Sequence, residues 1–167
     1  GLYIAFFPQL IAGPIVRYNT ISRQINGRKE TMADFAAGVE RFLIGFCKKV
    51  LLSNHFAQIA DITFDTTKYS IDLGADLAWI SAVAYSLQIL FDFSGYSDMA
   101  IGLGKMFGFH FDENFNYPYA AGSVSDFWRR WHISLGTWFR DYVYIPLGGS
   151  RVNKGRLVLN LLVVWGL

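Results

Sequence analysis

The stretch Asp76–Phe93, DLAWISAVAYSLQILFDF, decides the fold class. It carries no charge over the 15 residues from Leu77 to Phe91. A simple membrane span needs roughly 20 apolar residues. This is the clearest membrane helix in the chain, and it still falls short, with Asp76 and Asp92 at its edges. The other long charge-free runs are Gly1–Val16 (16 residues) and Leu157–Leu167 (11 residues). Pro8 and Pro14 interrupt the first of these. Proline lacks a backbone donor and clashes with the preceding turn, so a broken or re-entrant piece is expected there. Both runs touch the chain ends. The chain opens on Gly and without a basic leader and cleavage site, so it reads as a piece of a longer protein.

Composition agrees with a membrane protein. Of 167 residues, 53% are hydrophobic, 17% aromatic and 17% charged, against ~25% charged in soluble domains. Disorder needs low hydrophobicity and high net charge, so it is excluded. The 16 Gly and 4 Pro show no period, which excludes collagen-like and low-complexity chains. The single Cys47 excludes a disulfide scaffold. The expected fold is all-α and polytopic. Its charged helices would pack on protein or line an aqueous cavity. A large soluble enzyme with buried helices is the alternative on composition alone. The net charge of +2 is small. Arg17–Lys29 and Arg151–Arg156 are basic clusters without acids, which favours the cytoplasmic side. Their apolar flanks argue against nucleic acid.

Outward from the deciding stretch, Arg17–Glu30 reads as a polar segment. Met32–Ala60 reads as one long helix, with Phe35, Val39, Phe42, Phe46 and Val50 at spacings of three and four. Arg41, Lys48 and Lys49 interrupt it, so it is amphipathic or tilted across an interface. Asp61–Gly74 is a polar connection. Ser94–Phe109 spaces Ala100, Gly104 and Gly108 by four, which lets helices approach closely in lipid. Phe111–Gly122 is an aromatic loop around Pro118, and Asp126–Tyr144 a Trp-rich helix. Pro146–Lys154 is a turn, and Arg156–Leu167 begins another apolar helix. Neither repeats nor a linker divide residues 1–167, which are expected to be a single fragment of one membrane domain.

The residues with most chemistry lie in Ser123–Ser150, SVSDFWRRWHISLGTWFRDYVYIPLGGS. Ser123 and Asp126 have the S-x-x-D spacing of a helix start. Pro146 stops the helix, and Gly148–Gly149 permit a turn. Between them Phe127, Trp131, Trp138 and Tyr142 form an aromatic stripe at helical spacing. His132 shares a face with Trp128, Leu135 and Phe139. Burial there favours a neutral imidazole, able to serve as a general base or to orient a nucleophile. A core histidine bonded to a backbone carbonyl is the plain alternative. Arg130 can pair with Asp126 at i,i+4. Arg129 and Arg140 lie obliquely to His132, and arginines on a membrane helix need water, headgroups or an anionic substrate. Asp92 and Asp98 are intramembrane carboxylates, either functional or bonded to a neighbouring helix.

Other signals are weak. Gly102-Leu103-Gly104-Lys105 lacks the remaining positions of a phosphate loop. His55 and His110 have no metal-ligand spacing to each other or to His132, so no metal site is expected. Cys47 precedes Lys48–Lys49, which suits thiolate activation or lipidation, but a buried structural thiol is the expectation.

Four strings carry a family resemblance: FFPQLIAGPIVRY (Phe6–Tyr18), LQILFDFSGYSDMAIGLGKMFGF (Leu87–Phe109), NFNYPY (Asn114–Tyr119) and DFWRRWHISLGTWFRDYVYIPLGG (Asp126–Gly149). In these the chain resembles the membrane-bound O-acyltransferases, in the bacterial branch of alginate O-acetyltransferases and teichoic acid D-alanine transferases. The resemblance implies a multi-helix membrane domain around a tunnel, of which this chain would be the central part. It implies transfer of an acyl group, acetyl or D-alanyl, from a thioester or carrier donor to a hydroxyl of an extracytoplasmic polysaccharide or teichoic acid. His132 matches the histidine of the family's W-H-I-S motif. A second histidine, usually given the general-base role, is implied in a later W-H-G motif; this chain ends at Val164-Trp165-Gly166-Leu167. The isolated chain is therefore expected to be inactive. His132 is the expected catalytic residue, with Trp128, Arg129, Trp131 and Arg140 around it and Asp98 carried as a tunnel residue. No tightly bound cofactor is implied, only the acyl donor, acyl-CoA or an acyl-carrier thioester, as co-substrate. The implied partners are a donor or carrier protein, the polymer acceptor, membrane lipid and a secreted acyltransferase partner. The implied location is the bacterial cytoplasmic membrane, crossed several times. A transporter or channel subunit and a non-catalytic scaffold of the same descent are the alternatives.

Overall fold

A computed structural model describes residues 13–64 and 74–166, apart from the Asn26 side chain. Expectations for residues 1–12, including Pro8, and for 65–73 within the polar connection lie outside the described residues. So does Leu167, the last residue of the terminal run. Among the described residues every regular element is helical, as the sequence leads one to expect. The backbone divides into two compact units. One is built on Arg17–Phe111, the other on Pro14–Val16 with Asp112–Leu167.

The first unit holds α1 (Tyr18–Gly27), α2 (Met32–Cys47), α3 (Asn54–Phe64) and α4 (Ala75–Met106). A wide π turn, Lys48–Ser53, joins α2 to α3, so the long helix foreseen over Met32–Ala60 runs on to Phe64 with a bulge in it. Thr31 caps α2, accepting from the Asp34 N–H at 3.0 Å. The polar stretch Arg17–Glu30 contains α1. Gln24 ties that helix to a distant backbone, donating to the His110 carbonyl at 2.9 Å and accepting from the His110 N–H at 2.8 Å.

The stretch around Leu77–Phe91 belongs to α4, a single helix of 32 residues. At 1.5 Å per residue it is about 48 Å long, more than the roughly 30 Å of a bilayer core. Among the described residues it is the one helix long and apolar enough to cross a membrane. Its N-terminal half leaves Trp79, Ile80 and Val83 exposed. Its C-terminal half is buried through Ser94, Gly95, Ser97, Asp98, Ala100, Ile101, Gly102 and Gly104.

Two glycine pairs set the packing of α2 on α4. A Cβ at Gly45 would stand 2.5 Å from the Gly95 carbonyl oxygen, and one at Gly38 2.7 Å from that of Gly102. The reverse additions clash equally, at 2.8 and 2.7 Å. Both partners are spaced by seven, so the backbones touch twice along an antiparallel crossing. The stripe foreseen at Ala100, Gly104 and Gly108 plays another part: Gly104 lies under the Phe111 ring, and Gly108 turns with φ +74° beyond the helix end.

The charges that interrupt these helices neutralise one another. Asp98, its side chain 9% exposed, accepts from Arg41 Nη2 at 2.6 Å, Arg41 Nε at 2.8 Å and Lys48 Nζ at 2.6 Å. Lys49 pairs with Asp92. The bulge begins where adjacent lysines reach α4 at these two carboxylates. Cys47 is exposed beside them, in an open apolar groove of about 500 Å³ with Leu43, Ile44, Leu51 and Leu52, and is not the buried thiol expected.

The second unit contains a short 3-10 turn at Pro118–Ala120, then α5 (Val124–Arg130), α6 (Ile133–Phe139), a π turn at Arg140–Tyr144, and α7 (Lys154–Gly166). Ser123 caps α5, its hydroxyl accepting from the Asp126 N–H at 3.1 Å, as its spacing suggests. Arg130 and Asp126 pair at 3.0 Å. Asp126–Tyr144 is not one helix. It breaks at Trp131–His132, and His132 adopts a left-handed conformation (φ 46°, ψ 55°). Helix α7 starts at Lys154, two residues before the expected Arg156. Its buried Asn160 donates to the carbonyls of Leu147 (3.0 Å) and Gly149 (3.3 Å), fastening it to the preceding turn.

Candidate functional site

The break at His132 undoes the helical faces inferred for its neighbours. The aromatic stripe becomes two clusters. Trp131 stacks on Phe127 (5.6 Å between centroids) and Tyr119 (6.3 Å), and Phe115 meets it edge-on at 5.1 Å. Trp138 packs separately, against Phe139 and Tyr142, each at 5.5 Å. His132 heads α6 instead of continuing the face of Trp128, Leu135 and Phe139.

A left-handed non-glycine residue costs of order 1–3 kcal/mol and persists only where its surroundings impose it. Here the surroundings are Asn114, in the N-F-N-Y-P-Y string. The Ile133 N–H donates to the Asn114 carbonyl at 2.9 Å. The Ser134 N–H and hydroxyl donate to Asn114 Oδ1 at 3.1 and 2.8 Å. His132 Nδ1 lies 3.2 Å from the same Oδ1 and 3.4 Å from Ser134 Oγ. One strand of backbone before the 3-10 turn thus sets both the chain path and the ring. The Asn116 N–H reinforces it, donating to the Arg130 carbonyl at 2.9 Å. Asn114 is 1% exposed. Burial pushes the His132 pKa down, so the ring favours its neutral form.

The remaining candidates fall into different surroundings. Trp131 is half-buried within its cluster, while Trp128 and Arg129 are exposed on α5. Arg140 is exposed, its Nε donating to Asp141 at 2.8 Å. The Arg130 hydrogen bond holds the Asp126 carboxyl below its ordinary range. Asp98 belongs to the first unit and is committed to Arg41 and Lys48. Asn114 and Ser134 were not singled out from sequence. Asn114 stands 18 residues before His132, and only folding shows that they meet.

What the site offers chemically is an imidazole that burial biases toward its neutral form, on a left-handed turn, with Nδ1 beside the buried Asn114 oxygen. Known proteins place this segment. The family model described as "MBOAT, membrane-bound O-acyltransferase family" matches residues 2–166. The probable alginate O-acetylase AlgI of Azotobacter vinelandii is 51% identical over 161 residues, covering 96% of this chain and 32% of that protein. The peptidoglycan O-acetyltransferase of Helicobacter pylori is 43% identical over 168 residues (99% and 31%). The teichoic acid D-alanyltransferase of Bacillus subtilis is 35% identical over 146 residues (86% and 36%). The chain spans about a third of the length of these relatives.

Proposed function

Because this chain belongs to the membrane-bound O-acyltransferase family, we propose that it carries part of the reaction centre of a membrane-embedded O-acyltransferase. The observation that carries the reading is His132: a neutral histidine held in a strained conformation by a buried polar residue. Strain of this kind gathers at active sites, where it fixes geometry.

The acceptor hydroxyl is a poor nucleophile and needs a base. Its oxygen bonds to the thioester carbonyl carbon as its proton passes to a histidine ring nitrogen. The tetrahedral oxyanion then collapses and the carbon–sulfur bond breaks. The thiolate takes the proton back, leaving an ester and a free thiol. His132 handles or shares this proton with the second histidine that the family resemblance implies. Trp128, Arg129, Trp131 and Arg140 shape the approach to it. No tightly bound cofactor is needed beyond the acyl donor, an acyl-CoA or acyl-carrier thioester.

The acyl group is acetyl and the acceptor a polysaccharide. Identity favours this choice, at 51% to the alginate O-acetylase against 35% to the D-alanyltransferase. A carrier or donor protein and a secreted acyltransferase are the further partners, and the setting is the bacterial cytoplasmic membrane, crossed several times. A transporter is not favoured by this family membership. The test is His132→Ala in the full-length protein, assayed for acetyl transfer to polymer. Loss of on the order of 10²-fold or more is expected. Unchanged transfer at normal expression would overturn the reading and leave the non-catalytic scaffold in its place.

A further inference from the structure

We infer that Asn114 is a positioning residue that holds His132 with its hydrogen on Nδ1, so that the basic lone pair of the neutral ring lies on Nε2. The inference rests on the acyl-transfer reading for its chemistry, but its geometry stands on hydrogen-bond bookkeeping alone. A backbone N–H can only donate. The Ser134 N–H, 3.1 Å from the Asn114 amide, therefore identifies the facing atom as the oxygen. The Ser134 hydroxyl receives the Ile15 N–H at 3.0 Å, and its own hydrogen goes to Asn114 Oδ1 at 2.8 Å. Both oxygens near His132 Nδ1 thus present lone pairs. A bare Nδ1 would set a third lone pair against them; a protonated Nδ1 donates. In a neutral ring the basic lone pair then belongs to Nε2.

The opposite face of the amide supports this. Asn114 Nδ2 is buried without an acceptor among the described residues. The amide is turned for the sake of its oxygen, at the expense of its nitrogen. Asn114 is too buried to touch substrate, so its part is to orient His132.

The experiment uses the full-length protein in detergent with 15N-labelled histidine. The His132 ring signals are assigned by their loss in His132→Gln, and the tautomer is read near pH 8. A hydrogen on Nδ1 is expected; a hydrogen on Nε2 would overturn the inference. Kinetics give an independent arm. Asn114→Leu should lower kcat by on the order of 10²-fold with the donor KM unchanged. Asn114→Asp keeps an acceptor oxygen and should stay within about tenfold of wild type. Wild-type kcat in Asn114→Leu would overturn the positioning role. Should that variant not fold, the wild-type spectrum and Asn114→Asp still decide. The two readings separate cleanly. Full activity in His132→Ala with a Nδ1–H ring would sink the acyl-transfer role and support the tautomer. An inactive His132→Ala with a Nε2–H ring would sink the tautomer alone.

Discussion

The crossing of α2 on α4 and the turn at His132 handle polar groups in opposite ways. At the crossing, helices touch backbone to backbone at Gly38–Gly102 and Gly45–Gly95, and the carboxylates of Asp98 and Asp92 are paired with basic side chains. No described residue at that crossing has a left-handed backbone. At His132 the backbone sits in the left-handed region, and the buried Asn114 oxygen accepts from the Ser134 N–H and hydroxyl and faces His132 Nδ1, while the amide nitrogen has no acceptor among the described residues. The first region spends polar groups on stability. The second gives up stability to fix one imidazole. The polar groups that shorten the apolar runs therefore fall in two settings: neutralised helix contacts and the hydrogen-bonded turn at His132.

The sharpest way to break that contrast is Asp98→Leu. Asp98→Leu removes the largely buried carboxylate that Arg41 and Lys48 share. Breaking a buried pair from one side costs about 3–5 kcal/mol. Thermal unfolding in detergent should register this as a large loss of stability or of folded yield. If Asp98→Leu unfolds like wild type, the crossing is not held by its charges.

Gly45→Leu attacks the same crossing through shape. The new side chain meets the Gly95 carbonyl, so the helices must separate. Overpacking of this kind costs about 1–3 kcal/mol. Gly27, with open space around its Cβ position, is the control and should tolerate alanine without loss.

Which parts of this could be read from sequence follows from the range of the interactions. The Ser123 cap and the Arg130–Asp126 pair were readable because their partners are three and four residues apart. The deciding stretch was readable because hydropathy is local. Helix α1 was not, since its anchor is the Gln24–His110 exchange across 86 residues. The break at His132 was not, since helical periodicity continues through it and the overriding hydrogen bonds come from Asn114. The four-residue spacing drew the eye to Ala100, Gly104 and Gly108, while the close approach uses glycines seven apart on two helices. His132 itself was found through motif resemblance, but its tautomer-setting partners needed coordinates.

In the second region, Ser134→Ala removes one donor to Asn114 and one acceptor for Ile15. A typical hydrogen bond contributes about 0.5–1.5 kcal/mol, so the stability loss should be of that size. Acyl transfer should fall less than in Asn114→Leu, because Oδ1 still faces Nδ1. The pH response has a definite sign. The folded pKa of His132 lies below its unfolded value of about 6.5, so the unfolded chain binds the proton more readily. The stability due to this group is present above about 6.5 and is lost as pH falls through the folded pKa. Unfolding temperatures from about pH 8 to about pH 5 should show it, and His132→Gln should remove that part of the slope. Acyl transfer should likewise rise with pH through a midpoint below the ordinary histidine value; a midpoint above it would remove burial as the controlling factor.

The smallest effect, Asp92→Asn, is the most informative about the membrane. The Lys49 and Asp92 side chains are 43% and 47% exposed, far more than Asp98. An exposed pair in water contributes about 0.2–1 kcal/mol, so the variant should unfold almost like wild type. That expectation depends on where α4 lies along the bilayer normal. With the charge-free run Leu77–Phe91 in the hydrocarbon, Asp92 falls at its edge, where Lys49 can reach water or headgroups after losing its partner. With the helix shifted so that Asp92 is central, the same substitution strands an ammonium in lipid, at about 2.5–3.5 kcal/mol on insertion scales. The two placements differ several-fold in one unfolding measurement. A small loss puts Asp92 at the interface and assigns the buried polar half of α4, from Ser94 to Gly104, to protein contacts at or beyond that edge. A large one puts the ion pairs inside the bilayer.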